Sequence, residues 1–370
     1  MKKFLLLNTL AFLLSITSSK AQYAYTGNST DKNSGNSVYG ITLCGAEFGE
    51  NNLPGVLNRH YTYPNPSEIN YFTSKGAKII QLPFKWERLQ RTLGGNLDEA
   101  ELKLISKFVD DCATRGAMVI LVMQNFGRYK IDNQELILGS KELPNYYYYD
   151  VWKKIAAALK NKPNIYAFNI MNEPHGMGFN KWYLSAQTAI NAIRESNTKS
   201  AIIVDGDNYA SPENWVRYSD YLKFLKDPSD NIMYSAHCYF DEDRSGRYLK
   251  PYELSGVNEM TGVERIKPFI NWCKANNKKA FVGEFGIPKN DERWLVVLEN
   301  MLSYLADNNI GGCYWAAGPW WKNYSLSIEP VNNQDQPQMN IYAKYLNVGF
   351  FNNTAGINNN LKSKSATAAK

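Results

Sequence analysis

Histidine is scarce in this chain. The three present, His60, His175 and His237, are scattered, and the five cysteines include no C-x-x-C pair. That combination removes the ligand spacing a structural zinc site needs. No glycine-rich nucleotide motif and no Ser-His-Asp arrangement can be placed at the predicted strand ends. Beyond the first residues no apolar run is long enough to span a bilayer. A basic stripe is missing as well. The formal charge of +6 draws on Lys2, Lys3 and Lys20 at one end and on Lys362, Lys364 and Lys370 at the other. This balance serves solubility and argues against nucleic acid as a partner.

The chain opens with Met1-Lys2-Lys3, an apolar stretch from Phe4 to Ile16, and Ser19-Lys20-Ala21. A charged start, a short apolar region and a small-residue ending predict a signal peptide over 1–21, cleaved after Ala21. The expected product is soluble, secreted or periplasmic, and free of the membrane after cleavage. Residues 22–39 read as a flexible polar leader and 351–370 as a disordered tail. Nine Trp and 25 Tyr supply rings that either stack on the apolar faces of sugars or pack in the core. An odd cysteine count leaves at least one thiol unpaired. Cys44 with Cys313 and Cys238 with Cys273 are the candidate disulfides, and buried free thiols are the alternative.

Strand-like runs at 40–46, 77–82, 117–123, 165–171, 201–204, 232–237, 280–283 and 312–316 alternate with amphipathic helical patterns near 65–74, 97–114, 149–159, 182–194, 215–225, 263–275, 291–305 and 338–346. Asp98 is suited to cap the second helix and Gly116 to end it. Eight strands alternating with eight helices predict one α/β domain, a (β/α)8 TIM barrel over 40–350, monomeric and without a second domain. Its chemistry would sit at the carboxyl ends of the strands. There the fourth strand delivers Asn172 and Glu173 ahead of Pro174, which ends the strand. The sixth delivers His237 and Tyr239, the seventh Glu284 and the eighth Trp315. Two carboxyl groups facing one another across a barrel mouth suit glycoside hydrolysis, provided their surroundings keep one protonated and the other ionised.

Five motifs carry a resemblance: Leu82-Pro83-Phe84-x-Trp86-Glu87-Arg88, Asn125-Phe126-Gly127-Arg128-Tyr129, Asn172-Glu173-Pro174-His175, Gly283-Glu284-Phe285-Gly286 and Tyr314-Trp315-Ala316-Ala317-Gly318-Pro319-Trp320-Trp321. From Gly40 to Leu346 the chain resembles the retaining endoglucanases of glycoside hydrolase family 5. The resemblance implies a β-glucan substrate cleaved through a covalent intermediate without metal or cofactor, with mannan, xyloglucan or mixed-linkage glucan as alternative substrates. Glu173 would be the acid and then the base, and Glu284 the nucleophile. Asn172 would hold the substrate 2-hydroxyl, Tyr239 would donate to Glu284, His237 would orient the acid/base, and Trp315 would floor the site. Asn125, Trp320 and Trp321 would also line the substrate, with Trp86, Tyr129, Trp182 and Tyr209 as further candidate platforms, although Trp182 also suits packing in the helix ring.

Two positions depart from the family pattern. Gln81 stands where relatives usually carry arginine, and Gln124 where they usually carry histidine. Both should lie beside the nucleophile. A glutamine offers hydrogen bonds without a fixed charge, which implies either a retuned active site or a barrel that binds glucan with little turnover.

Overall fold

The computed structural model describes residues 37–132 and 134–346. The proposed signal peptide, nearly all of the leader and the tail lie outside the described residues. Eight parallel strands close on themselves. They are Tyr39–Leu43, Ile79–Phe84, Met118–Met123, Ile165–Asn169, Ala201–Asp205, Ile232–His237, Lys279–Phe285 and Gly311–Ala317. Closure is set by the first strand, whose Gly40 pairs with Ile79 of the second and Cys313 of the eighth. The architecture is the expected (β/α)8 barrel. Its first strand begins one residue early, at Tyr39, which is buried and donates its hydroxyl to the Ile310 carbonyl at 3.0 Å.

The helices form where caps and apolar periodicity agree. Asp98 accepts from the Glu101 N–H at 2.9 Å and starts helix Glu99–Ala113. Gly116, just past that helix, has φ +70°, a conformation that favours glycine. The pattern over 215–225 resolves into a short α-helix, Trp215–Ser219, and a 3-10 helix, Asp220–Phe224. A hairpin of Arg128–Ile131 and Gln134–Ile137 follows the third strand. Its strands are four residues long and mostly polar, so they lack the apolar run that marks a strand in sequence.

Side chains alternate along a strand. Ile79, Ile120, Val122, Ala167, Ala201, Ile203, Phe281 and Cys313 fill the barrel interior. Two residues further along the same inward rows come Gln81, Gln124, Asn169, Asp205 and Trp315, so the apolar interior gives way to polar groups and an indole at the carboxyl-end mouth. The seventh strand breaks this beat. Ala236 pairs with Val282 but His237 with Glu284, and on the other edge Gly312 pairs with Val282 while Tyr314 pairs with Phe285. Gly283 is therefore an extra residue, a bulge that turns Glu284 inward. A Cβ there would meet the Ser235 hydroxyl at 2.5 Å and His237 Nε2 at 2.8 Å, so only glycine fits.

All five cysteines are buried free thiols, which settles the open pairing. Cys44 lies four residues beyond Gly40, the partner of Cys313, and is thus about 13 Å along the strand direction from it. The Cys238 sulfur faces the Gly262 carbonyl at 3.8 Å, eleven residues before Cys273 on the same helix, or about 16 Å of rise. Both spans exceed disulfide reach. Reducing agent should leave the melting temperature unchanged, and a thiol reagent should label the protein fully only after denaturation. A melting temperature that falls on reduction would contradict this placement.

Candidate active site

The fourth strand ends at Asn169, and the chain then turns under two constraints. The Asn172 N–H donates to the Met123 carbonyl at 2.9 Å, and the Glu173 N–H donates to Asp205 Oδ2 at 3.1 Å. Glu173 is held at φ +43°, a left-handed conformation that costs a non-glycine residue about 1 kcal/mol. Asp205 ends the fifth strand, is fully buried, and receives the Asn169 amide on its other oxygen at 2.9 Å. The Trp182 indole donates to its carbonyl at 2.8 Å.

Four side chains converge above these residues. His237 Nδ1 lies 2.7 Å from Glu173 Oε1 and 3.5 Å from Glu284 Oε2, while its Nε2 lies 3.3 Å from Asp205 Oδ2. Tyr239 donates its hydroxyl to Glu284 Oε2 at 2.7 Å. Glu173, His237 and Glu284 each bring one polar atom within 4.8 Å of the others. Burial alone would push the His237 imidazole down, but the charges of Glu284 and Asp205 and the hydrogen bond to Glu173 outweigh it and hold the ring well above its ordinary value. For Glu284, burial pushes the carboxyl up and the Glu173 and Asp205 charges add to it. His237 and the Tyr239 hydroxyl pull back, leaving it at about 7. One buried imidazole thus lies within ion-pair distance of three carboxyl groups.

Around this centre lie buried polar atoms without a partner in the protein: both amide atoms of Asn172, Gln81 Oε1, Gln124 Oε1 and Glu284 Oε1. Gln81 Nε2 reaches the Gly283 carbonyl only at 3.4 Å, and the Gln124 carbonyl accepts from Lys85 at 2.6 Å. Unsatisfied groups at this density mark a surface built to meet a polar ligand. Trp315 is half-buried and donates its indole N–H to the Tyr324 hydroxyl at 3.2 Å. Trp321 stacks on Tyr324 at 4.3 Å and meets Trp315 edge-on at 6.0 Å, so these rings form one wall. Trp320 follows Pro319, half-buried on the same loop.

Other candidates have structural duties instead. Asn125 accepts from the Trp86 N–H at 2.8 Å and donates to Glu87 at 2.7 Å, so its amide is spent tying two loops together. Trp86, Tyr129 and Trp182 are buried and cannot be sugar platforms. Trp86 bonds Gln90 at 3.1 Å and Tyr129 bonds the Gln90 carbonyl at 2.7 Å. Tyr209 is the exception, half exposed and stacked on His175 at 3.8 Å. Arg88 donates to the carbonyls of Ala46, Phe48 and Pro54. Arg128 donates to the His175 carbonyl at 2.7 Å, steadying the loop that carries Glu173.

The profile of the cellulase family, glycosyl hydrolase family 5, matches residues 42–320. Endo-beta-1,4-glucanase B of Emericella nidulans is 35% identical over 305 residues, which span 81% of this chain and 88% of that protein. The chain belongs to glycosyl hydrolase family 5. Among solved structures, the Pseudomonas stutzeri endoglucanase Cel5A in complex with cellobiose superposes with a TM-score of 0.80 at 36% identity, covering 85% of this chain and 94% of that one. An endo-beta-1,4-glucanase from Xanthomonas axonopodis pv. citri gives 0.77 at 32% identity, covering 84% and 98%.

Two features of this family 5 barrel were not read from the sequence. One is Asp205, whose signal in the sequence is a carboxylate directly after an apolar run, as at Glu284. The second is a cavity of about 550 Å³ that opens from Glu173, His237 and Tyr239 toward Tyr209, Glu213 and Arg244. Its walls come from the loops after the fifth and sixth strands, whose polar residues carry no periodicity to place them. Asp205→Asn keeps the shape of the side chain but removes the charge opposing His237. We expect a fall of about 100-fold in kcat, the scale of a small misplacement of reacting groups, with the circular dichroism unchanged. Unaltered turnover would show that His237 needs no such partner.

Proposed function

We propose that this chain is an exported, retaining endo-β-1,4-glucanase that works through Glu173 and Glu284. The observation that carries the reading is that one oxygen of Glu173 and one of Glu284 lie within 4.8 Å of each other. Retaining glycosidases place theirs about 5 to 5.5 Å apart, whereas inverting enzymes leave a wider gap for water. The names of the family 5 relatives support β-1,4-glucan as the substrate, and the charged, apolar, small-residue order of residues 1–21 supports export.

Each group has a task. Ionised Glu284 attacks the anomeric carbon as Glu173 gives its proton to the departing glycosidic oxygen, so the glycosidic bond breaks as an ester bond forms. Water then attacks the same carbon and passes its proton to Glu173, and Glu284 leaves as carboxylate. His237 donates from Nδ1 to Glu173 Oε1, which directs the transferable proton to the other oxygen. Tyr239 stabilises the ionised nucleophile and points its carboxylate. The free amide of Asn172 is placed for a sugar hydroxyl, with Gln81 and Gln124 offering further acceptors. Trp315 and Trp321 form the aromatic wall on the glycone side, and Tyr209 is the exposed ring beside the cavity on the leaving-group side.

Glu284→Ala and Glu173→Ala should each abolish release of reducing ends from a soluble cellulose derivative while oligosaccharide still binds. Oligosaccharide binding by the native chain without turnover above the Glu284→Ala level would overturn the enzyme reading in favour of a glucan-binding barrel. The pH profile is a second check. The nucleophile must be ionised, and Glu284 titrates at about 7, so kcat/KM should fall as pH drops through that value. A half-maximum in the ordinary carboxyl range, about 4 to 5, would contradict the environment described. Adding cationic side chains with Gln81→Arg and Gln124→His should shift that limb to lower pH, because positive charge favours ionised Glu284. An unmoved limb would mean that the two glutamines do not face the nucleophile.

A further inference from the structure

Tyr239 has no strand to hold it. It lies two residues past His237, the last residue of the sixth strand, and one past Cys238, whose N–H still bonds the Glu284 carbonyl at 2.9 Å, and yet its hydroxyl must stay within hydrogen-bond distance of Glu284. The geometry points to Arg265 as the positioning residue that holds Tyr239 against the nucleophile, with Gly246 closing the ring from its other side. This rests on the proposed role of Glu284 and extends it to a residue outside the reacting groups.

Arg265 lies on helix Thr261–Ala275 and is 8% exposed. Its Nη1 donates to the Tyr239 carbonyl at 2.6 Å and to the Asp241 carbonyl at 2.7 Å. A charged donor bridging two carbonyls fixes the backbone on both sides of Phe240. From there the chain folds back over the tyrosine. Asp241 accepts from the Gly246 and Tyr248 N–H groups, both at 3.1 Å. Tyr248 in turn donates to the Gly286 carbonyl at 2.6 Å, which ties this loop to the chain just past Glu284. Gly246, at φ +71°, is pressed so closely on the Tyr239 ring that a Cβ would lie 2.8 Å from two of its carbons.

The same arginine reaches the cavity. Its Nε lies 4.0 Å from Glu213 Oε2, and Glu213 is also paired with Arg244 from the folded-back loop. Glu213, Arg244 and Arg265 all line the cavity beside Glu173. The wall of the leaving-group side and the support of the nucleophile are therefore one connected set of bonds.

The test is a cycle of Arg265→Met and Tyr239→Phe, with kcat, KM and pH profile measured on a soluble β-1,4-glucan. Arg265→Met alone should lower kcat by about 10- to 100-fold with KM within about twofold, the cost of a small displacement of a catalytic contact. The acid limb should move to higher pH, as in Tyr239→Phe, because both variants weaken the donor that favours ionised Glu284. The other groups facing Glu284, namely His237, Glu173, Asp205, Cys44 and Tyr324, are left in place. In the Tyr239→Phe background, Arg265→Met should cost less than about twofold, since residues that act through one another are not additive. Arg265→Lys should recover much of the loss. Gly246→Ala, which pushes on the ring from the opposite side, should reproduce the kcat and pH signature and provides the test if Arg265→Met does not fold. An equal loss in both backgrounds, or an unmoved limb in Arg265→Met and Gly246→Ala, would overturn the inference. Absence of turnover in the native chain would instead overturn the proposed function.

Discussion

Glu284 faces the barrel interior because the seventh strand contains one residue more than its neighbours can pair. Without Gly283 as that extra residue, strict alternation would send Glu284 outward among the helices, where Val282 and Phe285 lie. The bulge works only because glycine has no side chain to strike Ser235 and His237. Most of the site depends on this one local irregularity. It brings Glu284 opposite Glu173, sets His237 between them, and gives Tyr239 a carboxylate to bond. A rigid sheet supplies the precision, and a defect in that sheet supplies the direction.

The charges inside this frame explain why the surroundings matter as much as the pair. Three carboxyl groups and one imidazole share a confined, largely buried space, so the charge of each bears on the others. Asp205 lies 3.3 Å from one ring nitrogen of His237 and Glu173 lies 2.7 Å from the other, so the ring is held between two carboxyl groups. Gln81 and Gln124 add dipoles but no charge, leaving burial as the leading influence on Glu284. A fixed cation in either place would compete with His237 for the same carboxylate. The neutral pair leaves the imidazole as the positive charge between the two glutamates.

Much of this was legible in the residue order. The alternation of apolar runs and helical patterns predicted the barrel, since parallel strands buried on both faces read as continuous apolar stretches. The ends of those stretches located Asn172, Glu173, His237 and Glu284. Contacts between distant segments were not legible. Nothing local to Asn125 reveals that Trp86 and Glu87 consume its amide, and nothing local to Trp86 or Tyr129 distinguishes a buried ring from an exposed one. The bulge that turns Glu284 inward was hidden, because it is defined by pairing with two neighbours that are distant in sequence. Arg265 lies on an ordinary amphipathic helix, and its bonds to the Tyr239 and Asp241 carbonyls exist only once helix and strand are packed.

The unpartnered amide of Asn172 and the unpartnered amide oxygens of Gln81 and Gln124 have a consequence for the protein as a material. Each holds polar atoms away from solvent without return from the fold, so the mouth is where folding free energy is given up and the apolar layers around it are where that loss is made good. Natural drift toward greater robustness would exchange these amides for leucine or methionine at little structural cost. Their presence is thus a trace of selection for something other than endurance, kept in a barrel whose interior would be better filled without them.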